Sequence, residues 1–314
     1  MSDSTAPASP TPVVVVTGGN GLVGSRVCAA LDDRGATVRA VVRRAGTSPS
    51  LPDLEEHVGD FADPELAARV TAGATAVVTT VHPLGGDDES QRTVAVEGTP
   101  VIARAARDNG VTWLVHVSTA AVYDRSPSAG DVDEHSALVA DDSDVYAVTK
   151  RDTDAALAEV DGITRVLLRP PAILGVGETS IWNSVRPAQI RDDASERTAV
   201  PEKSFAWVHV DDLARLAADV ATGRVACADD PERGPVEGAC TPVNVAAGTG
   251  TQRDYLGAVT GALGLEPVWE EGESWTGDLV SERARRWGWT PQLDLDAALA
   301  ELAAGLRAEA EDRG

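Results

Sequence analysis

The sequence predicts an α/β fold: a doubly wound parallel sheet with a smaller C-terminal lobe. Two observations carry that prediction. Apolar, β-branched runs alternate with helical segments as far as about residue 170, the pattern of parallel strands joined by crossover helices. The first run, Val13-Val14-Val15-Val16, leads straight into Thr17-Gly18-Gly19-Asn20-Gly21-Leu22-Val23-Gly24. Ser25–Leu31 then supplies the small and apolar residues of a helix packed on a sheet.

The remaining elements follow in order. Gly35 ends the first helical unit and Thr37–Val42 forms the second strand. His57–Gly59 is a short third strand, and Asp63-Pro64 starts a helix running to about Val70. Ala76–Thr80 is the fourth strand; a long helix from about Gln91 to Asn109 is stopped by Gly110. Trp113–Ser118 is the fifth strand, Gly130–Asp144 an acidic loop, Val145–Glu159 a helix and Thr164–Arg169 the sixth strand. Beyond Pro170-Pro171 the pattern becomes irregular and richer in Trp, Gly and Pro, as expected of a lobe over the carboxyl ends of the strands. The expected division is a disordered tail over 1–12, a dinucleotide-binding domain over 13–170 and a mainly substrate-binding lobe over 171–314. Segments 205–222 and 242–246 are expected to return to the first domain.

Composition removes several partners. A net charge of −23 over 314 residues leaves no basic face for nucleic acid or an anionic membrane. No apolar run approaches the roughly 20 residues of a membrane span. Cys28, Cys227 and Cys240 lack metal-ligand spacing; Cys227 and Cys240 could meet across a loop, but three scattered cysteines fit a reduced, cytoplasmic chain better. The expected partner is a small-molecule substrate, with a homodimer left open.

The glycine stretch has the spacing of a Rossmann dinucleotide fingerprint. Gly18 permits the tight turn, Gly21 lets backbone N–H groups reach a pyrophosphate, and Gly24 lets the helix press on the strand. Leu22 and Val23 open the helix, where free N–H groups and the helix dipole favour an anion. The second strand ends in Arg43-Arg44 with no carboxylate to bind ribose hydroxyls, which favours NADP, with NAD as the alternative. Asp60 either meets the adenine edge, with Phe61 beside it, or serves as an ordinary turn carboxylate. Thr80 and Val81, closing the fourth strand, join the cofactor contacts, and His82 faces cofactor or substrate or is structural.

The chemistry is expected from Thr119, Tyr146 and Lys150. Tyr146 and Lys150 are four apart on a helix and share a face. A phenol with pKa of about 10 needs a neighbouring ammonium to work near neutrality. Thr119, at the end of the fifth strand, is placed to hydrogen-bond the substrate oxygen while Tyr146 exchanges the proton.

With these motifs in this order, the chain resembles an extended short-chain dehydrogenase/reductase, the family of sugar-nucleotide epimerases, dehydratases and many carbonyl reductases. The resemblance runs from Val13 to the C-terminus, through Thr17–Gly24, Gly59-Asp60, Ser118–Tyr123, Tyr146–Lys150, Leu168-Arg169-Pro170 and Trp207–Ala214. It implies that Thr119, Tyr146 and Lys150 are catalytic, that Lys150 also binds the nicotinamide ribose, and that Pro170 to Ile173 line the nicotinamide side. Three departures bear on the substrate. Ala120-Ala121 stand where dehydratases carry Asp-Glu, Ala172 where epimerases usually carry Asn, and Ala95 where an Asn often precedes the long helix's Gly-Thr. His82, Tyr123, Trp182 and Trp207 are the substrate-side candidates, the tryptophans either lining an apolar pocket or packing a core. The expected function is an NADP-dependent carbonyl reductase or alcohol dehydrogenase. A sugar-nucleotide epimerase or reductase is the alternative, and a non-catalytic dinucleotide-binding protein a third reading.

Overall fold

Strand β1 (Val13–Thr17) shows how the sequence builds the sheet. Its side chains alternate, so Val14 and Val16 enter the apolar core on one face and Val15 the core on the other. A strand buried on both faces has to be apolar throughout, which is why the valines run unbroken. The computed structural model describes residues 11–81 and 88–313. Within them β1 is followed by α1 (Leu22–Asp32), β2 (Thr37–Val42), β3 (Leu54–Val58), α2 (Pro64–Thr71) and β4 (Ala76–Thr79). Then come α3 (Asp88–Arg92), a π-helical stretch (Thr93–Gly98), α4 (Thr99–Asp108), β5 (Trp113–Val117), α5 (Val145–Ala158) and β6 (Thr164–Arg169).

The second half adds β7 (Ala172–Leu174), α6 (Arg186–Asp192), β8 (Thr198–Ala199), β9 (Ser204–His209), α7 (Val210–Ala221) and β10 (Cys240–Asn244). It closes with β11 (Gly248–Thr251), α8 (Gln252–Leu263), β12 (Val268–Trp269), α9 (Glu282–Arg286) and α10 (Leu295–Arg313). Seven parallel strands make the main sheet in the order β10-β6-β5-β4-β1-β2-β3. The order reverses between β1 and β4, so a crevice opens at their carboxyl ends.

Helices α1 and α7 cover one face through Val27, Leu31, Leu213 and Leu216. Helices α2, α4 and α5 cover the other through Leu66, Ile102 and Leu157. A three-stranded sheet, β11-β9-β7, carries a separate core in which Phe205, Trp207, Tyr255 and Leu302 pack together. No helix among the described residues is long and apolar enough to cross a membrane. Among the same residues no group of three or more His, Cys, Asp or Glu is placed to hold a metal ion.

Two elements differ from their sequence expectation. Strand β3 begins at Leu54 rather than His57. It pairs with β2 alone, and the edge position accommodates the exposed Glu55 and a Glu56 that turns to the 46–48 loop, two carboxylates that mask the strand pattern. The single helix expected over 91–109 is α3, the π-helical stretch and α4. Pro100 has no N–H to close an α-helical bond to Val96, and the helix widens just before it. Residues 1–10 of the expected tail lie outside the described residues, as does His82.

Candidate active site

The crevice is built first by the glycine turn. Gly18 has φ +72°, and its N–H donates to the Val41 carbonyl at 3.1 Å, tying the turn to the end of β2. A Cβ on Gly24 would fall inside the contact radius of the Gly18 carbonyl oxygen, so helix and turn touch only because Gly24 lacks one. Thr80 Oγ1 donates to the Thr17 carbonyl at 2.7 Å, and Val81 packs against Gly18. Gly21 is the N-cap of α1 and brings no side-chain cap, which leaves first-turn N–H groups for another acceptor. The Leu22 N–H donates to Thr179 Oγ1 at 3.1 Å, an oxygen from 157 residues further on. An oxygen acceptor at this uncapped terminus, over a cradle that a Cβ would fill, fits a dinucleotide pyrophosphate held by the Leu22 and Val23 end of α1. Gly24→Ala is expected to weaken dinucleotide binding about tenfold to a hundredfold, since overpacking costs about 1–3 kcal/mol. Calorimetric titration checks it; unchanged affinity would place the dinucleotide elsewhere.

At the end of β2, Arg43 and Arg44 are exposed and neither side chain takes part in an ion pair among the described residues. Their loop is braced by Glu56, which accepts from the Gly46 N–H at 2.8 Å and from Ser48 Oγ at 2.5 Å. The Ser48 hydrogen bond, with the backbone N–H groups, holds the Glu56 carboxyl down at about 2. Asp60 is exposed and its Oδ1 accepts from the Ala62 N–H at 2.9 Å, the geometry of a turn carboxylate, while its other oxygen makes no hydrogen bond among the described residues. The Phe61 side chain is buried in the core beside Gly98, so only its backbone is left to face a ligand.

The third group stands where β5 and α5 meet. Thr119 is buried and caps a short 3₁₀ turn, Ala120–Val122, by accepting from the Ala121 N–H at 3.1 Å. Helix α5 starts at Asp144, whose Oδ1 accepts from the N–H groups of Tyr146 and Ala147 at 3.0 and 3.3 Å. That cap sets the helix phase and so brings the Tyr146 and Thr119 side chains into a hydrogen bond. Lys150 lies one turn behind, buried, with Nζ donating to the Val117 carbonyl at 3.1 Å. Burial lowers its pKa from 10.5 to about 8 against the opposing pull of Asp154. Asp154 is itself buried and ion-paired to Arg169 at 3.0 Å.

Tyr146 departs from the expectation that its pKa is lowered. Its ring is 37% exposed, but crowding around the hydroxyl raises the phenol above its ordinary value; the Thr119 hydrogen bond opposes this, Asp144 adds to the rise, and Arg125 offsets part of it. The phenol thus carries its proton at neutral pH, but the raised pKa makes it a weaker acid than a free phenol, opposite to the shift that favours proton transfer.

Three substrate-side candidates have other work. The Tyr123 hydroxyl donates to Asn244 Oδ1 at 2.9 Å and accepts from Arg169 at 2.8 Å, in a ring 1% exposed. Trp207 is buried in β9, and Trp182 packs edge-on against Phe205 and Tyr255, both at 5.3 Å. The Pro170 carbonyl accepts from the Ala120 N–H at 2.8 Å, and Ile173 lies in β7 opposite Val208. Sequence reasoning missed Arg125, whose guanidinium lies over the Trp275 ring at 5.7 Å from its centre. No local pattern marks it, since it follows a recognised motif as one more loop cation.

With that geometry in place, comparison with known proteins adds the following. The family model described as the NAD dependent epimerase/dehydratase family matches residues 14–226. The chain is 30% identical over 184 residues to the 3 beta-hydroxysteroid dehydrogenase/Delta 5-->4-isomerase of Mycobacterium tuberculosis, covering 55% of this chain and 50% of that protein. It is 31% identical over 174 residues to the 2-alkyl-3-oxoalkanoate reductase of Stenotrophomonas maltophilia, covering 54% and 53%. The chain therefore spans about half the length of these curated relatives. Among solved structures, the Bordetella bronchiseptica enzyme WbmH in complex with NAD+ superposes with a TM-score of 0.76 at 22% identity, covering 95% of this chain and 99% of that one. A UDP-glucose 4-epimerase with UDP-glucose from Thermotoga maritima gives a TM-score of 0.73 at 18% identity, covering 95% and 99%. At those identities the structural likeness speaks for the fold alone.

Proposed function

As the chain belongs to the NAD-dependent epimerase/dehydratase family of extended short-chain dehydrogenases/reductases, we propose that it is an NADP-dependent reductase acting on the carbonyl of a small molecule. The observation that carries the reading is the grouping at the end of β5, where Tyr146 meets the buried Thr119 and the buried Lys150 lies one turn behind with its Nζ on the Val117 carbonyl. Bound NADPH supplies the hydride for the carbonyl carbon. Tyr146 donates its proton to the oxygen on which negative charge develops, and Thr119 directs that oxygen with its hydroxyl. Lys150 holds positive charge behind the phenol, and the family resemblance gives it the nicotinamide ribose as well. Ala120-Ala121 leave no carboxylate beside Thr119 for an elimination.

Arg43 is assigned to the cofactor's 2′-phosphate, because it is exposed beside the glycine turn and no carboxylate shares the strand end. A charge-assisted contact is worth about 1.5–3 kcal/mol, roughly tenfold to a hundredfold in affinity. Titration of both cofactors into wild type and Arg43→Ala is expected to show that preference for NADP, and its loss in the variant. Equal affinities in wild type would remove the assignment.

A further inference from the structure

The mechanism leaves one cation in the crevice unused. Arg125 follows the turn that carries Thr119, its side chain is exposed, and it takes part in no hydrogen bond or ion pair among the described residues. Two arginines of the neighbouring helix α5 and strand β6 are matched by carboxylates, Arg151 by Asp141 and Arg169 by Asp154, whereas Arg125, like Arg43 and Arg44, is not. Its guanidinium lies over the Trp275 ring, 5.7 Å from the centre, and Trp275 is itself fixed by an indole N–H donating to the Gly130 carbonyl at 2.7 Å. A stacked guanidinium is held in orientation while its N–H edge stays free for a carboxylate or phosphate. Although the residue as a whole is exposed, neighbouring atoms crowd the guanidinium enough for desolvation to lower its pKa, and the group that opposes this is Tyr146. The Arg125 charge in turn stabilises the Tyr146 phenolate, so the two side chains share one space. Glu270, Glu271 and Glu273 line a groove of about 660 Å³ close by, yet none of them pairs with Arg125. Any anion binding beside Arg125 has to be held by direct contact and not by the field of the chain, which repels it.

We propose that Arg125, seated on Trp275 beside Tyr146, binds an anionic group of the substrate, so that the carbonyl compounds reduced are oxo acids or oxo phosphates. This rests on the reductase reading and narrows it.

The test is calorimetric binding to the enzyme saturated with oxidised NADP, paired with NADPH oxidation. Ligands are pyruvate, phenylpyruvate and acetoacetate against their methyl esters, and dihydroxyacetone phosphate against dihydroxyacetone. Wild type is expected to favour at least one anion over its neutral partner by roughly tenfold to a hundredfold, in affinity and in kcat/KM. Arg125→Ala should bring that ratio near one, and Arg125→Lys should restore part of it. Preference for the acids or for the phosphate identifies the anion. A wild-type enzyme that binds every anion no better than its neutral partner overturns the proposal. So does an Arg125→Ala variant that loses activity equally on both partners, because the arginine then serves Tyr146 alone. Arg125-dependent anion binding without hydride transfer leaves the anion site standing and removes the reductase reading; hydride transfer blind to charge does the reverse.

Discussion

Tyr146→Phe is expected to cut turnover by about a hundredfold to ten-thousandfold, the usual contribution of a positioned general acid. The substitution removes only the hydroxyl that meets Thr119, while the Asp144 cap still holds the start of α5 through backbone N–H groups. Cofactor affinity should therefore stay at the wild-type value, because the glycine turn is untouched. Single-turnover hydride transfer, measured beside cofactor titration, separates the two effects. Near wild-type turnover in the variant would dismiss Tyr146 as the proton donor. Thr119→Ala should lose less rate, since it orients the oxygen without donating the transferred proton.

Lys150→Met is expected to disable the enzyme while stabilising the fold. The ammonium is buried and its pKa falls from 10.5 to about 8, a penalty on the folded state of about 3 kcal/mol at neutral pH. Loss of the hydrogen bond to the Val117 carbonyl returns about 1 kcal/mol, so a net gain of about 2 kcal/mol is predicted. Asp154 keeps Arg169 as its partner in the variant. For the sign, the unfolded chain takes up the proton first as pH falls from 10.5, and the penalty is complete below about pH 8. The stability gap between variant and wild type should thus be widest below about pH 8 and close toward 10.5. Denaturant unfolding across that range reads it directly. A variant less stable than wild type at neutral pH would mean that Lys150 is a net stabilising contact. In wild type the same deprotonation predicts an alkaline fall in kcat/KM near pH 8.

What was legible in the sequence followed from local chemistry. β2 spans Thr37–Val42 as expected, because Val38, Ala40, Val41 and Val42 are buried by the layers on the sheet and outweigh the single Arg39, and Asp63-Pro64 caps α2 as its pattern requires. The family was legible for the same reason, since the glycine turn and the Tyr-x-x-x-Lys helix are short motifs. What was hidden depends on distant pairing. Tyr123 follows the Ser-Thr motif and reads as a site residue, yet its hydroxyl is taken by Asn244, 121 residues away. Trp182 and Trp207 carry no local sign of which face they present, and the β7–β9–β11 sheet turns them into the lobe's core. Arg125 was missed because its meaning lies in what it lacks, a carboxylate partner, and that is known only once the chain is folded.

The central claim is that hydride passes from the cofactor to a carbonyl carbon of the substrate and remains there. Reduction with NADPH deuterated at the transferred position, read by mass spectrometry of the alcohol, tests it most directly. The expected result is one deuterium in each product molecule, with one cofactor oxidised for each. Substrate inverted at a carbinol centre, with no deuterium gained and no cofactor consumed, would contradict it and identify the chain as an epimerase.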